Sequence, residues 1–183
     1  ACDMHPGYNT SHIAKSFAKK IDDSALSKSD AETGEGANMS LIEVQHHHAH
    51  IVSCMAENGY MDDVIGMAFD GTGYGIDGTI WGGEFLRAGI KDFERLGSIS
   101  PFEHIGGDVE SREGWRIAAS ILPGEIAMML GICNSKELKT LRAMSENRIN
   151  VVESTSAGRL FDAASALLDL CKKSSFEGEA AMK

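Results

Sequence analysis

From Val64 to Gly75 the chain reads VIGMAFDGTGYG, an apolar run that ends on an aspartate and then places glycine at every second position. A run this short and this apolar, rich in β-branched and aromatic side chains, predicts a buried or half-buried strand over VIGMAFD. The following TGYGIDGTIWGGEFLRAGI predicts a hairpin that turns at Asp77-Gly78. Two readings of the break at Asp70 stay open. It is an ordinary hairpin turn, or it is a strand end where backbone amides gather around phosphate oxygens while the carboxylate holds a cation. Glycine suits the second reading because it allows the close approach that a Cβ blocks.

Just upstream, residues 44–50 read VQHHHAH, so four of the seven histidines fall within five positions. As a helix, this segment puts His46 and His50 one turn apart on one face, within reach of one ion. As a strand, it lines up His46, His48 and His50 instead. The Asn58-Gly59 stop and the helical spacing of His47, Ile51, Cys54 and Met55 as a buried stripe favour the helix. Neutral imidazoles suit Zn²⁺ or Fe²⁺ and need at least one further ligand, usually a carboxylate. Asp70 is the first candidate. A solvated, histidine-rich helix start is the plainer alternative.

The remaining pattern predicts one α/β domain, strand-rich over 1–105 and helical over 108–183. A short helix is expected around Ile13–Ile21, then a flexible connection over 22–38, a short strand at Leu41–Val44, and a strand in FERLGSISPF. SREGWRIAASIL, GEIAMMLGI, SKELKTLRAMSEN and STSAGRLFDAASALLDLC all read as helices. In the last, Leu160, Phe161, Ala164, Leu167, Leu168 and Cys171 form an apolar stripe, which leaves Asp162 on the polar side with Ser165 and Asp169. The net charge of −10 argues against binding a nucleic-acid backbone, although a single nucleotide can still be held by amides and a cation. The cysteines Cys2, Cys54, Cys133 and Cys171 form no CxxC pair, so neither a zinc knuckle nor a disulfide framework is expected. No apolar run approaches the roughly 20 residues of a membrane helix. The opening ACDMHPGYNTS has no secretory character, so a cytoplasmic protein is expected.

Taken in order, CDMHPGYNTS, VQHHHAHIVSCMAENG, AFDGTGYGIDGTIWGGEFL and GRLFDAASALLDL followed by SFEGEAA closely resemble the hydrogenase-maturation carbamoyltransferase family, HypF. The likeness is weakest over 15–40 and 124–150. It implies the family's C-terminal transferase domain, related to the tRNA threonylcarbamoyl transferases. The implied fold is that of the actin, Hsp70 and sugar-kinase superfamily, a mixed sheet with flanking helices in two lobes around a nucleotide cleft. The implied activity uses carbamoyl phosphate and ATP to make carbamoyl adenylate. The carbamoyl group then passes to the C-terminal cysteine of a partner protein in [NiFe] hydrogenase maturation.

By the same resemblance, His46, His50 and Asp70 are ligands of a divalent metal (Fe, Zn or Mg), and Asp70 and Gly71 lie at the reacting centre. Gly71, Thr72, Gly73 and Tyr74 surround the phosphates or the anhydride. Asp162 meets the nucleotide ribose, and Gly178 lines the same pocket. Trp81-Gly82-Gly83-Glu84 and Gly106-Gly107-Asp108 also match family motifs, with no role expected beyond shaping the cleft. The chain stops where the family continues into a second lobe, so an incomplete domain is expected. Two other readings remain, a threonylcarbamoyl transferase acting on tRNA and an inactive fragment that binds metal or nucleotide.

Overall fold

The computed structural model describes residues 1–26, 40–176 and 178–183. A two-residue strand, β1 (Cys2–Asp3), opens the chain and is followed by α1 (Asn9–Leu26), longer at both ends than the helix expected around Ile13–Ile21. Residues 22–26 of the anticipated connection are therefore helical, and the rest of it lies outside the described residues. β1 pairs in parallel with β2 (Glu43–Val44), matching Asp3 to Val44 immediately before helix α2 (His46–Glu57).

The main sheet is built on the hairpin of β3 (Val64–Tyr74) and β4 (Ile80–Ala88). The expected turn is present, with Gly78 at φ 79°, a conformation in which a Cβ is strained. The segment read as FERLGSISPF is two strands, β5 (Phe93–Ser98) on β4 and β6 (Phe102–Ile105) further along the sheet. Pro101, with no N–H to give a ladder, sits at the break.

The second half is mostly helical: a 3₁₀ turn (Gly107–Arg112), α3 (Gly114–Ile121), α4 (Gly124–Met129), α5 (Ser135–Glu146), α6 (Ala157–Leu167) and the short α7 (Glu179–Met182). Helix α5 starts on a full capping box between Asn134 and Glu137. One strand was not anticipated there. β7 (Val151–Ser154) pairs antiparallel with β6 and in parallel with β4 through Ile80 and Ser154, which makes the sheet mixed.

The core has two centres. Ile51, Met55, Ala68, Trp81, Leu86 and Ala88 pack between α2 and the β3–β4 hairpin. Ile105, Ile117, Ala118, Leu138, Leu141, Ala163 and Ala166 pack among the helices. The stripe expected to bury α6 is on the wrong side: Phe161 is 59% exposed and Leu168 71%. The face that goes inward carries Arg159, Asp162, Ala163, Ser165 and Ala166. The reason is how closely α6 lies to α3. A Cβ on Gly114 would stand 2.4 Å from the carbonyl oxygen of Asp162, so only small side chains and a compact ion pair fit between the two helices. Among the described residues, no helix is long and apolar enough to cross a membrane.

Candidate metal centre

Helix α2 begins at the histidines because Gln45 caps it. The Gln45 side chain accepts the amide of His48 at 2.9 Å. Its Nε2 donates to the carbonyl of Tyr74 at 3.1 Å, which ties the helix start to the end of β3. The helical register then sorts the four histidines. His47 and His48 point into the core, while His46 and His50 face Asp70. His48 donates from Nε2 to the carbonyl of Gly89 at 2.8 Å and lies against Phe93. His47 is completely buried beside Trp81, with no hydrogen-bond partner for its Nε2, and burial together with the nearby His46 pushes it down to about 4. Of the stripe expected on α2, His47, Ile51 and Met55 are buried and Cys54 is exposed.

Asp70 is presented by a bulge, not by a turn. Phe69 pairs with Gly83 and Gly73 with Trp81, so Asp70, Gly71 and Thr72 stand opposite Gly82 alone. Gly71, Gly73 and Gly75 have none of the positive φ angles seen at Gly78, and the Gly71 amide donates to Asp70 Oδ1 at 2.6 Å. The expected nest of amides is thus a bulged strand whose first amide already serves the carboxylate. The glycines answer to close packing. A Cβ on Gly73 would meet the His47 ring at 2.2 Å, and one on Gly82 would meet the Asp70 carbonyl at 2.6 Å.

Helix α6 supports the bulge from behind. Ser156 caps it by accepting the Arg159 amide at 3.0 Å and donates from the same hydroxyl to the Gly71 carbonyl at 2.7 Å. A Cβ on Gly158 would lie 2.8 Å from the Gly71 Cα. Glu84, fully buried, takes the amides of Gly82 and Gly83, the Thr155 hydroxyl, and Arg95 Nε at 2.7 Å. Arg95 in turn lies over Trp81 at 4.2 Å and pairs with Asp77 at 3.0 Å. The WGGE motif is therefore the joint between β4 and the Thr155–Ser156 loop.

His46, His50 and Asp70 bring one ligand atom each to within 4.8 Å of the others. His46 Nε2 stands 2.9 Å from Asp70 Oδ2 and 3.1 Å from His50 Nε2, and His50 Nε2 stands 3.6 Å from Asp70 Oδ2. A tetrahedral ion with bonds of about 2.1 Å sets its ligands roughly 3.4 Å apart, so the trio fits three positions around one small divalent cation. The carboxylate of Asp70 is pushed up by burial, but the Gly71 amide and His46 outweigh that and hold it below its usual range. Burial pulls His46 down, whereas Asp3 and Asp70 pull it up further, so the net shift is upward. Asp3 was not singled out from the sequence, although CDMHPGYNTS was. Its Oδ2 lies 2.8 Å from His46 Nδ1.

The other expected site residues are placed differently. Asp162 lies one turn beyond Gly158 on α6, 6% exposed, where the sequence alone suggested a solvated position. Its Oδ2 is 2.7 Å from an Arg159 nitrogen but outside hydrogen-bond geometry; Arg159 Nε and Ser165 Oγ are likewise buried without hydrogen bonds. Burial raises the Asp162 carboxyl, with Arg159 acting against it. Gly178 is exposed, with φ 79°, and caps α7, which packs on α6.

Comparison with known proteins agrees with this architecture. Residues 66–183 match the model for the carbamoyltransferase Kae1-like domain, second subdomain, and residues 1–57 match the HypF Kae1-like domain. Over its full length the chain is 37% identical to a carbamoyltransferase HypF homolog of Cupriavidus necator, of which it spans 44%. It is 35% identical to a probable carbamoyltransferase HypF of Methanocaldococcus jannaschii, of which it spans 23%. A full-length HypF crystallised in its phosphate- and nucleotide-bound form superposes on 98% of the chain with a TM-score of 0.81 at 37% identity, the match taking in 22% of that protein. The mixed sheet, its flanking helices and this agreement along the whole chain place the molecule among the Kae1-like folds, and the chain belongs to the HypF carbamoyltransferase family.

Proposed function

We propose that this chain carries the carbamoyl-transfer centre of its family, with carbamoyl adenylate as donor and the C-terminal cysteine of a hydrogenase-maturation partner as acceptor. The observation that carries this reading is the convergence of His46, His50 and Asp70 on the bulge of β3. His46 Nε2, His50 Nε2 and Asp70 Oδ2 would hold the divalent cation, and a donor set of two imidazoles and one carboxylate suits Zn or Fe better than Mg. When bound, that ion supplies Lewis-acid polarisation of a carbonyl or neutralisation of phosphate charge.

In the reaction, the partner's thiolate attacks the carbamoyl carbon. A C–S bond forms, the C–O bond to phosphate breaks, and AMP leaves with the electron pair. The chain's own residues place the donor. The Asp70–Thr72 bulge, pinned by Ser156 and Gly158, offers a rigid wall where charge develops, and rigid positioning is what such a transfer needs most. Asp162 and Gly178 are the candidates for the nucleoside side. The buried Arg159 Nε and Ser165 Oγ, which have no hydrogen-bond partner, support a polar ligand along α6. So does the nucleotide bound by the full-length relative. Because the chain is acidic, a cation is the expected means of admitting a polyphosphate.

The test is calorimetry on metal-stripped protein, first with Zn²⁺ and then with a non-hydrolysable ATP analogue, beside His50→Ala and Asp70→Asn. Transfer from carbamoyl adenylate to a peptide ending in cysteine is followed by mass spectrometry. Metal-dependent nucleotide binding lost in both variants is the expected result. Uptake of metal without nucleotide or transfer would reduce the chain to an inactive metal-binding fragment.

A further inference from the structure

Granted the cation reading of His46, His50 and Asp70, we propose that Asp3 is a positioning residue for it, fixing which nitrogen of His46 faces the ion. A carboxylate only accepts hydrogen bonds, so with Asp3 Oδ2 at 2.8 Å the Nδ1 of His46 carries the proton. Nε2 is the atom left to ligate because it alone faces both Asp70 Oδ2, at 2.9 Å, and His50 Nε2, at 3.1 Å, so an ion bound there takes the place of the proton that Nε2 gives Asp70 in the metal-free chain. Carboxylates thus bracket the ring at both nitrogens, one to orient it and one to share the ion. A metal-bound imidazole normally needs such an outer acceptor, which also makes it a stronger ligand. His50 is more exposed and shows no comparable hold, its described hydrogen-bond and ion-pair contacts being at Nε2 alone.

The N-terminal segment is arranged to deliver this one carboxylate. Asp3 Oδ1 accepts the His5 amide at 2.7 Å, so both oxygens are fixed. The backbone around Asp3 is held by the ladder to β2, with the Cys2 amide on Ile42 and the Met4 amide on Val44. The Ser11 hydroxyl donates to the Asp3 carbonyl at 2.9 Å. The next residues close over the bulged strand, His5 stacking on Tyr8 at 4.0 Å and meeting Tyr74 edge-on at 5.4 Å. β2 runs directly into Gln45 and α2, so a single short ladder sets the distance between Asp3 and His46.

The experiment titrates the metal-stripped chain with Zn²⁺ under chelator competition and compares Asp3→Ala, Asp3→Asn and Ser11→Ala. The wild type is also examined with zinc bound by nitrogen-15 NMR of the His46 ring. Expected are an Nδ1-protonated, Nε2-bound His46, a loss of Zn²⁺ affinity of about 10- to 100-fold in Asp3→Ala, and a smaller loss in Asp3→Asn, which keeps an acceptor oxygen. Ser11→Ala, which loosens the strand but spares the carboxylate, should stay close to wild type. Equal affinity in Asp3→Ala and wild type, or a zinc-bound Nδ1, would overturn the role of Asp3 while leaving the cation reading intact. So would a Ser11→Ala defect as deep as that of Asp3→Ala, because the strand and not the charge would then be the cause. If Asp3→Ala does not fold, Asp3→Asn and the ring spectra decide. A wild type that takes up no Zn²⁺ removes the cation reading, and the role of Asp3 goes with it.

Discussion

Helix α2 and helix α6 meet the same bulge of β3, one with histidines and the other with a serine cap, yet hydrophobic spacing describes only the first. On α2 the large apolar residues Ile51 and Met55 go inward, and the polar pair His46 and His50 stays at the surface where it meets Asp70. On α6 the order is reversed, with an ion pair and alanines inward and Phe161 and Leu168 outward. The difference comes from separation. α2 sits on a sheet, across a gap that Trp81 and Leu86 fill, whereas α6 lies so close to α3 that backbone almost touches backbone at Gly114. Large side chains bury a helix only where there is room for them.

The sharpest way to break this contrast is at Asp162. Asp162→Ala leaves Arg159 buried without its counter-ion and should cost about 3–5 kcal/mol, read as a lower urea midpoint. Asp162→Asn removes the same counter-ion but keeps an oxygen that can accept from Arg159, so it should cost less. The folded carboxyl is raised, so its stabilising contribution is present below the unfolded value of 3.8 and is lost as pH rises through the folded one. At neutral pH the charge is therefore one the fold accommodates poorly, and an amide relieves it. Equal losses in the two variants would mean that the ion pair itself, not its burial, is what matters.

His47 tests the buried side of α2. Its folded value of about 4 lies below the ordinary value of 6.5, so its contribution is complete above about 6.5 and disappears as pH falls toward 4. The drop amounts to about 3 kcal/mol, and His47→Gln should flatten it. His46 carries the opposite sign in metal-free protein: raised in the fold, it stabilises below 6.5, and that support fades as pH rises through its folded value. Urea midpoints measured across this range in wild type and His47→Gln separate adjacent residues of one helix.

Much of this centre can be read in the sequence because it depends on periodic or punctuated signals. His46 and His50 are spaced by one helical turn, Asn58-Gly59 ends the helix, with Gly59 at φ 65°, and Asp77-Gly78 turns the hairpin. What escaped is set by contacts between distant parts of the chain. β7 is too short to show a period, and it exists because β6 and β4 offer it partners. Asp3 reaches His46 across 43 positions of sequence, and Glu84 reaches Thr155 across 71. No local pattern encodes such pairs. At Asp70–Thr72 the alternating glycines leave a hairpin turn and a nest of amides both open; the bulge differs from either, and the glycines at 73 and 75 answer to crowding by His47 and Trp81.

Gly158 measures that crowding directly. A methyl group there must displace Gly71, so Gly158→Ala should cost about 1–3 kcal/mol and also weaken Zn²⁺ binding by shifting Asp70. A variant destabilised but unchanged in zinc affinity would show that α6 supports the fold without setting the site.

The smallest expected effect closes the comparison on the same helix. Phe161 is the largest apolar side chain in the stripe that hydrophobicity assigns to the core, yet it is more than half exposed, because the close contact at Gly114 leaves the buried side of the helix to Ala163 and Ala166. If separation between backbones decides burial, Phe161→Ser should change the stability of this chain by less than about 0.5 kcal/mol, well below the loss in Asp162→Ala one position away. A cost of several kcal/mol at Phe161 would return the apolar stripe to the core and reverse the account of α6. A null effect there, beside a large one at Asp162, identifies the polar face of α6 as the side that holds the helix in place.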